Sequence, residues 1–302
     1  MSSVKIKEIH LENYCGYRDV TFNFQDENGK IKPIAVFFGP NGCGKTTLLK
    51  AINILGNAKR FEPMELETLQ LSFRKMTYHE DYDPTYAGFG KSKDPMVLTG
   101  TFIVDGEEKK VILHSTDGVV LNELPYKHTG HTYLINADSP MEMNKFQMLN
   151  EKCEIFTKIA KSVYDLDCEL AKPIQENGGA IENVVDGWLG EQKINEKYIY
   201  TDFIINKNGS KIHFKSMSDG EKKIATLLRD LCNPLYIDDI DAVLVDNFEL
   251  HIYWKRHAIF VDQILESFPD KQFFITTHSG ILIQHIENRY SETWLYDISK
   301  YK

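Results

Sequence analysis

Long apolar runs are missing from this 302-residue chain: none approaches the roughly 20 residues that a bilayer span requires. The opening residues, Met1-Ser2-Ser3-Val4-Lys5-Ile6-Lys7, lack the apolar core of a signal peptide. The expectation is a cytoplasmic protein with no membrane partner. Cysteine is sparse. Cys15, Cys43, Cys153, Cys168 and Cys232 are odd in number, scattered and without a C-x-x-C pair, which argues against a disulfide framework and against a zinc site. An excess of positive charge is missing too. With 35 basic and 44 acidic residues the net charge is −9, so the chain as a whole is not a polycation built to coat nucleic acid. A local basic patch can still coexist with an acidic remainder. There is no internal repeat and no sustained heptad array. What is left, 42% hydrophobic and 26% charged residues, is an ordinary globular composition, and the length makes two domains a soft prior.

Against that plain background one stretch stands out, Gly39-Pro40-Asn41-Gly42-Cys43-Gly44-Lys45-Thr46-Thr47. It matches G-x-x-x-x-G-K-[ST], a phosphate-binding loop. The apolar run Ile34–Phe38 reads as a buried strand entering the loop, and Leu48, Ile52 and Leu55 recur at helical spacing after it. Strand, glycine loop and helix start therefore come in the order the chemistry needs. The loop turns backbone N–H groups toward phosphate oxygens, the helix dipole adds positive charge, and Lys45 reaches the terminal phosphates. The candidate ATP-binding residues are Asn41, Gly42, Cys43, Gly44, Lys45, Thr46 and Thr47, with Cys43 filling a variable position. Thr46 is placed to offer its hydroxyl to a magnesium ion.

Around this loop, Val4–Leu11 and Val20–Phe24 alternate as strands joined through Asn13–Arg18, giving a β-rich entry. Val97–Val104, Lys110–His114 and Gly118–Leu121 read as short antiparallel strands parted by Asp105-Gly106 and Asp117-Gly118 turns. Thr132–Asn136 reads as another buried strand, helical periodicity covers Cys153–Leu170, and Tyr198–Ile205 pairs with Lys211–Phe214 across Asn206-Lys207-Asn208-Gly209. The stretch Phe61–Pro95 suggests no chemical role.

Three further motifs follow. Ser216-Met217-Ser218-Asp219-Gly220-Glu221-Lys222-Lys223 leads into Ile224, Leu227, Leu228 and Leu231, and its Ser218 and Glu221 form an S-x-x-E capping box. It reads either as a well-capped helix start or, given the upstream loop, as a second anion site. Ala242-Val243-Leu244-Val245-Asp246 is an apolar strand ending in a carboxylate, the form of a magnesium-holding Walker B aspartate beside Thr46. Gln272–Thr276 is a fourth strand that delivers Thr277-His278-Ser279 at its C-terminal end, where open α/β sheets gather ligand groups.

In that order, GPNGCGKTT, SMSDGEKK, AVLVDNFELH and FFITTHS resemble an ABC-type ATPase head of the RecF/SMC branch. They are close to the AAA-like ATPases of the OLD and anti-phage defence groups, Septu- and retron-associated members included. The N-terminal LENYCGYRDVTFNF looks like that branch's opening strand pair. The resemblance covers roughly residues 1–57 and 212–302 and leaves 58–211 without a motif. It implies an α/β fold: an ABC-type P-loop NTPase head with an N-terminal antiparallel β subdomain and a helical or mixed lobe bearing the signature. Residues 1–302 would form one head, with a nucleotide core from about 1–57 and 235–302 and an inserted lobe at about 58–234.

It further implies ATP and Mg2+ as cofactors, and a homodimer in which ATP on one subunit's loop is capped by Ser218 and Gly220 of the other. His278 would contact the terminal phosphate, and Gln147 would be the glutamine-loop residue of the magnesium shell alongside Thr46 and Asp246. Three departures matter. Asn247 stands where the family commonly has the glutamate that polarises water, and an amide cannot take that proton, so hydrolysis is slow or Glu249 supplies the carboxylate. Cys15 lies where an arginine often contacts nucleotide. Asp219 stands where transporters commonly have glycine in the signature, while Ser218, Gly220 and Glu221 are kept. The expected function is an ATPase in DNA repair or phage defence whose ATP-bound dimer engages DNA or a separate nuclease or other effector. The alternatives are a transporter nucleotide-binding subunit and a sensor module with little turnover. Candidate basic contacts to DNA are Lys5, Lys7, Lys222, Lys223, Lys255 and Arg256.

Overall fold

The computed structural model describes residues 3–58, 96–114, 117–127, 130–136, 146–170, 198–201, 203–232, 240–250 and 252–301. Its contacts divide the chain into two units, Met1–Asp138 with Asp238–Leu250 and Leu265–Lys302, and Ser139–Ile237 with His251–Ile264. The first unit begins with β1 (Val4–Tyr14), β2 (Tyr17–Asn23), β3 (Ile34–Phe38), α1 (Lys45–Gly56), β4 (Val97–Val104), β5 (Glu107–His114), β6 (Gly118–Asn122) and β7 (Thr132–Asn136). The second holds β8 (Phe146–Leu149), α2 (Asn150–Tyr164), β9 (Asp167–Leu170), β10 (Tyr198–Thr201), β11 (Phe203–Lys207), β12 (Ser210–His213) and α3 (Asp219–Cys232). The chain re-enters the first unit for β13 (Ala242–Asp246), returns to the second for most of α4 (His257–Ser267), and ends in the first with β14 (Gln272–Thr277), α5 (Gly280–Arg289) and β15 (Leu295–Asp297).

The first unit has two sheets. One is parallel, ordered β15-β3-β14-β13-β7, and its central strands β14 and β13 are buried at every residue. A strand covered on both faces needs a continuous apolar run, which is why Ile34–Phe38 and Ala242–Val245 show no alternation. The other sheet is antiparallel, ordered β2-β1-β4-β5-β6. Its strands alternate, and β1 reads buried, half-buried, buried, half-buried from Val4 to Lys7. Hydrogen bonding of β4 to β1 from Val97 to Val104 puts β4–β6 in this unit, although the sequence reading assigned 58–234 to an inserted lobe.

α1 buries Leu48, Leu49, Ile52 and Leu55 against these sheets, and each such side chain contributes roughly 1.5–3 kcal/mol of gross burial free energy. Phe24 joins the sheets through its ring, 4.9 Å from Phe274, 5.7 Å from Tyr296 and 6.2 Å from Phe37 between centroids. Pairing of β1 with β2 stops at Glu8, and beyond it two buried side chains grip β1's backbone. Gln272 accepts from Ile6 N at 2.8 Å and donates to Ile6 O at 3.0 Å, while Asp241 Oδ1 accepts from Val4 N at 3.1 Å.

In the second unit β11 lies between β12 and β9, and β10 pairs with β8. Two expectations are corrected here. The helix foreseen over Cys153–Leu170 ends at Tyr164, because Asp165 turns left-handed (φ 55°) and Asp167–Leu170 is taken up as a strand by β11. The strand foreseen over Tyr198–Ile205 is two strands with different partners, since residues 198–201 pair with β8 and 203–207 with β9 and β12. The Asn208-Gly209 turn is as expected, both residues having positive φ. Phe203 packs on Phe156 at 5.0 Å and on Tyr164 at 5.6 Å. Among the described residues no helix is long and apolar enough to cross a membrane. The stretch Phe61–Pro95 lies outside the described residues.

Candidate functional site: a phosphate loop facing a buried carboxylate

Parallel register brings the C-terminal ends of β3, β14 and β13 to one edge: Phe38 lies opposite Thr277, and Val245 opposite Ile275. The glycine loop leaves β3 at that edge. Gly44 has φ 106°, and a Cβ there would sit 2.7 Å from Tyr17 Oη, so only glycine lets the hairpin of β1 and β2 close against the loop. Tyr17 Oη donates to Gly44 O at 3.0 Å and braces the start of α1. Cys43 is buried, 6% exposed as a residue, consistent with a filler of the variable position. Lys45 is buried, its ammonium donating to Gly39 O at 3.0 Å and Pro40 O at 3.1 Å inside the loop's arch. Asn41 and Gly42 are exposed and Thr47 is half-buried.

Across the edge, Thr46 Oγ1 donates to Asp246 Oδ2 at 2.8 Å, joining residues 200 apart in the chain. Thr276 Oγ1 donates to Asp246 Oδ1 at 2.6 Å and accepts from Asn247 N at 2.8 Å. Asn247 is left-handed (φ 52°), a conformation asparagine tolerates better than most residues with a Cβ. The turn sends Glu249 back toward β14, where Glu249 Oε1 accepts from His278 N at 2.7 Å. Glu249 Oε2 is buried without a hydrogen-bond partner. His278 is exposed, and Ser279 caps α5 by accepting from Leu282 N at 3.2 Å.

Thus Lys45, Thr46, Asp246, Asn247, Glu249 and His278 share one unit and one sheet edge. Ser218, Gly220 and Gln147 belong to the other unit. Ser218 is exposed at the start of α3 and forms the expected box: Ser218 N and Oγ both donate to Glu221 Oε2 at 2.8 Å, and Glu221 N donates back to Ser218 Oγ at 3.4 Å. Burial alone would raise the Glu221 pKa, but the bonds from Ser218 and Lys207 outweigh it and hold the carboxyl below its ordinary value. Gln147 is on β8 opposite Tyr200, with its side chain outside the described residues.

Sequence reasoning passed over Tyr17 and Thr276. The first carried no signal, whereas the second was a hydroxyl following the apolar run Phe273–Ile275. Cys15 proves to be a turn residue (φ 44°), and burial pushes its thiol up to about 11 against the opposing pull of Lys50, so it brings no charge to the arginine position.

The AAA ATPase domain pattern matches residues 4–234, more than half of the sequence. The chain belongs to the AAA ATPase domain family. Septu protein PtuA of Bacillus mycoides is 19% identical over 299 residues, an alignment covering 92% of this chain and 39% of that protein. A retron Vc95 probable ATPase of Vibrio cholerae is 30% identical over 93 residues, 28% of this chain and 18% of that one. The chain therefore spans well under half the length of these relatives. The SMC head domain from Thermotoga maritima matches in fold with a TM-score of 0.54 at 16% identity, covering 93% of this chain and 92% of that one. This AAA ATPase domain accordingly has the ABC-type head fold that its ordered motifs suggested.

The donor set fits the cofactors such a domain implies. One buried carboxylate and one hydroxyl, 2.8 Å apart beside a phosphate loop, suit a magnesium ion that takes its remaining oxygens from water and phosphate.

Proposed function

We propose that this domain binds ATP with Mg2+ at the glycine loop and hydrolyses it slowly, and that the bound nucleotide drives pairing of two copies. The observation carrying the reading is the Thr46–Asp246 contact, which brings the loop and the buried carboxylate within one ion's reach. Lys45 exchanges loop carbonyls for terminal phosphate oxygens, and His278 approaches the same phosphate from the end of β14. Magnesium, when bound, neutralises phosphate charge during transfer. Glu249 accepts the proton of the attacking water, because Asn247 cannot and because Glu249 has an unpartnered oxygen at the sheet edge. Ser218 and Gly220, exposed or half-exposed at a capped helix start, cap the nucleotide of the opposite copy.

In this reading the ATP-bound pair switches a separate effector, or DNA engagement, in DNA repair or phage defence. Septu- and retron-named relatives and the SMC-like head fold support that setting. Of the six basic residues considered for DNA, Lys5 donates to Asp270 O, Lys7 pairs with Glu108, Lys223 is buried and Arg256 pairs with Asp165 at 3.3 Å. Direct DNA contact through these four is therefore disfavoured, while Lys222 is half-buried and Lys255 exposed. Steady-state phosphate release tests the catalytic part: Lys45→Ala and Glu249→Gln should each fall at least about ten-fold below wild type. Unchanged turnover in Lys45→Ala would show that the measured activity comes from elsewhere. A second reading, a sensor that holds ATP and barely turns it over, is favoured by Asn247 alone and predicts tight binding with no release above background.

A further inference from the structure

We infer that Thr276 is a positioning residue for the magnesium-side carboxylate, acting on the ion only through Asp246. The inference rests on the reading that Thr46 and Asp246 hold the ion. Thr276 is fully buried in the middle strand of the parallel sheet, after the apolar Phe273, Phe274 and Ile275. A buried hydroxyl destabilises such a strand unless it is paired, and this one is paired twice. Its single proton goes to Asp246 Oδ1 at 2.6 Å, and its lone pair takes the Asn247 N–H at 2.8 Å. The carbonyl of the same residue accepts from Phe248 N at 3.0 Å. Asp246 is thus held at both oxygens, Oδ1 by β14 and Oδ2 by Thr46. A carboxylate tied at one oxygen cannot rotate about its terminal bond without losing that bond, so Oδ2 stays aimed at Thr46. Valine would fill the same volume but leave Oδ1 and Asn247 N unpaired, with the carboxylate held by Thr46 alone. The clamp also explains why the left-handed turn at Asn247 forms where it does: the side chain that orients Asp246 also receives the next peptide N–H.

The test is binding of a fluorescent ATP analogue to the full chain as MgCl2 is raised from an EDTA baseline, with thermal melting as the folding check. Thr276→Val should raise the half-saturating Mg2+ concentration roughly ten-fold or more, as loss of an outer-shell partner does at metal sites, while Thr276→Ser stays within about two-fold of wild type. Affinity in EDTA should be the same in all three. If wild type gains no affinity from Mg2+, the Thr46–Asp246 reading itself fails. If wild type gains it and Thr276→Val follows the same curve, only the positioning role fails. An equal loss with and without Mg2+ would mark Thr276 as merely structural and overturn the role. Should Thr276→Val not fold, Thr276→Ala is measured in its place; failure of both to fold while Thr276→Ser folds would also make the hydroxyl structural and overturn it.

Discussion

Asn247 is the residue on which the rate of the proposed turnover is expected to hinge. Its φ of 52° costs glutamate more than asparagine, and its amide cannot take a proton from water. Introducing Asn247→Glu should therefore have two opposed effects: faster phosphate release, and a small loss of stability, about 1 kcal/mol, from the left-handed backbone. Single-turnover hydrolysis and chemical denaturation of the same preparation check both, and no gain in rate would place proton transfer wholly on Glu249. Gly44 is constrained from another direction. With φ 106° and Tyr17 Oη 2.7 Å from any added Cβ, Gly44→Ala should displace the β1–β2 hairpin and weaken nucleotide binding, an outcome that Tyr17→Phe, which loses only the bond to Gly44 O, should approach only weakly in fluorescent-ATP titration.

Among the elements, β1 shows how a sheet edge is sealed by side chains. Gln272, 1% exposed, satisfies both backbone groups of Ile6, so Gln272→Leu leaves a buried donor and acceptor unpaired and should cost about 2–3 kcal/mol in urea unfolding. Asp241 performs the matching task at Val4 and also meets Lys127 Nζ and His131 Nδ1, each at 2.7 Å. Burial would raise its pKa, but these three partners outweigh burial and hold the carboxyl below its ordinary 3.8. A depressed folded pKa means that the contribution to stability is complete above the unfolded value and disappears as pH falls through the folded one. Thermal melts of wild type should thus lose stability below about pH 3.8 more steeply than those of Asp241→Asn, which starts lower and lacks that titration. Equal slopes would mean that the network does not depend on the carboxylate charge.

For the whole molecule the central expectation is nucleotide-dependent association. Ser218 is exposed at the first turn of α3, available to a neighbouring copy. Sedimentation velocity with a non-hydrolysable ATP analogue and Mg2+ should convert monomer to dimer, and Lys45→Ala should remain monomeric under the same conditions. A Ser218→Arg chain should still bind analogue but fail to pair; pairing that survives this change would mean the copies meet through another face.

How much of this could be read without coordinates differs from feature to feature. The residues alone decide whatever depends on neighbours in the chain. The continuous apolar runs at Ile34–Phe38 and Ala242–Val245 read as strands covered on both faces, Asn208-Gly209 and Asp105-Gly106 can turn with positive φ, and Ser218-x-x-Glu221 can cap its own helix. The phosphate loop, with its lysine and threonine, is legible for the same reason. Tertiary structure decided what distant segments share: that Asp167–Leu170 joins β11 as a strand instead of prolonging a helix, that Tyr198–Ile205 divides between two partners, and that β4–β6 complete the sheet begun by β1. It also decided the inner geometry of the site, since Thr276 reaches Asp246 only because β14 lies between β3 and β13. Local propensity acts over a few residues, while a hydrogen bond between Thr46 and Asp246 spans 200 positions and depends on sheet order and register, which no short window of sequence contains.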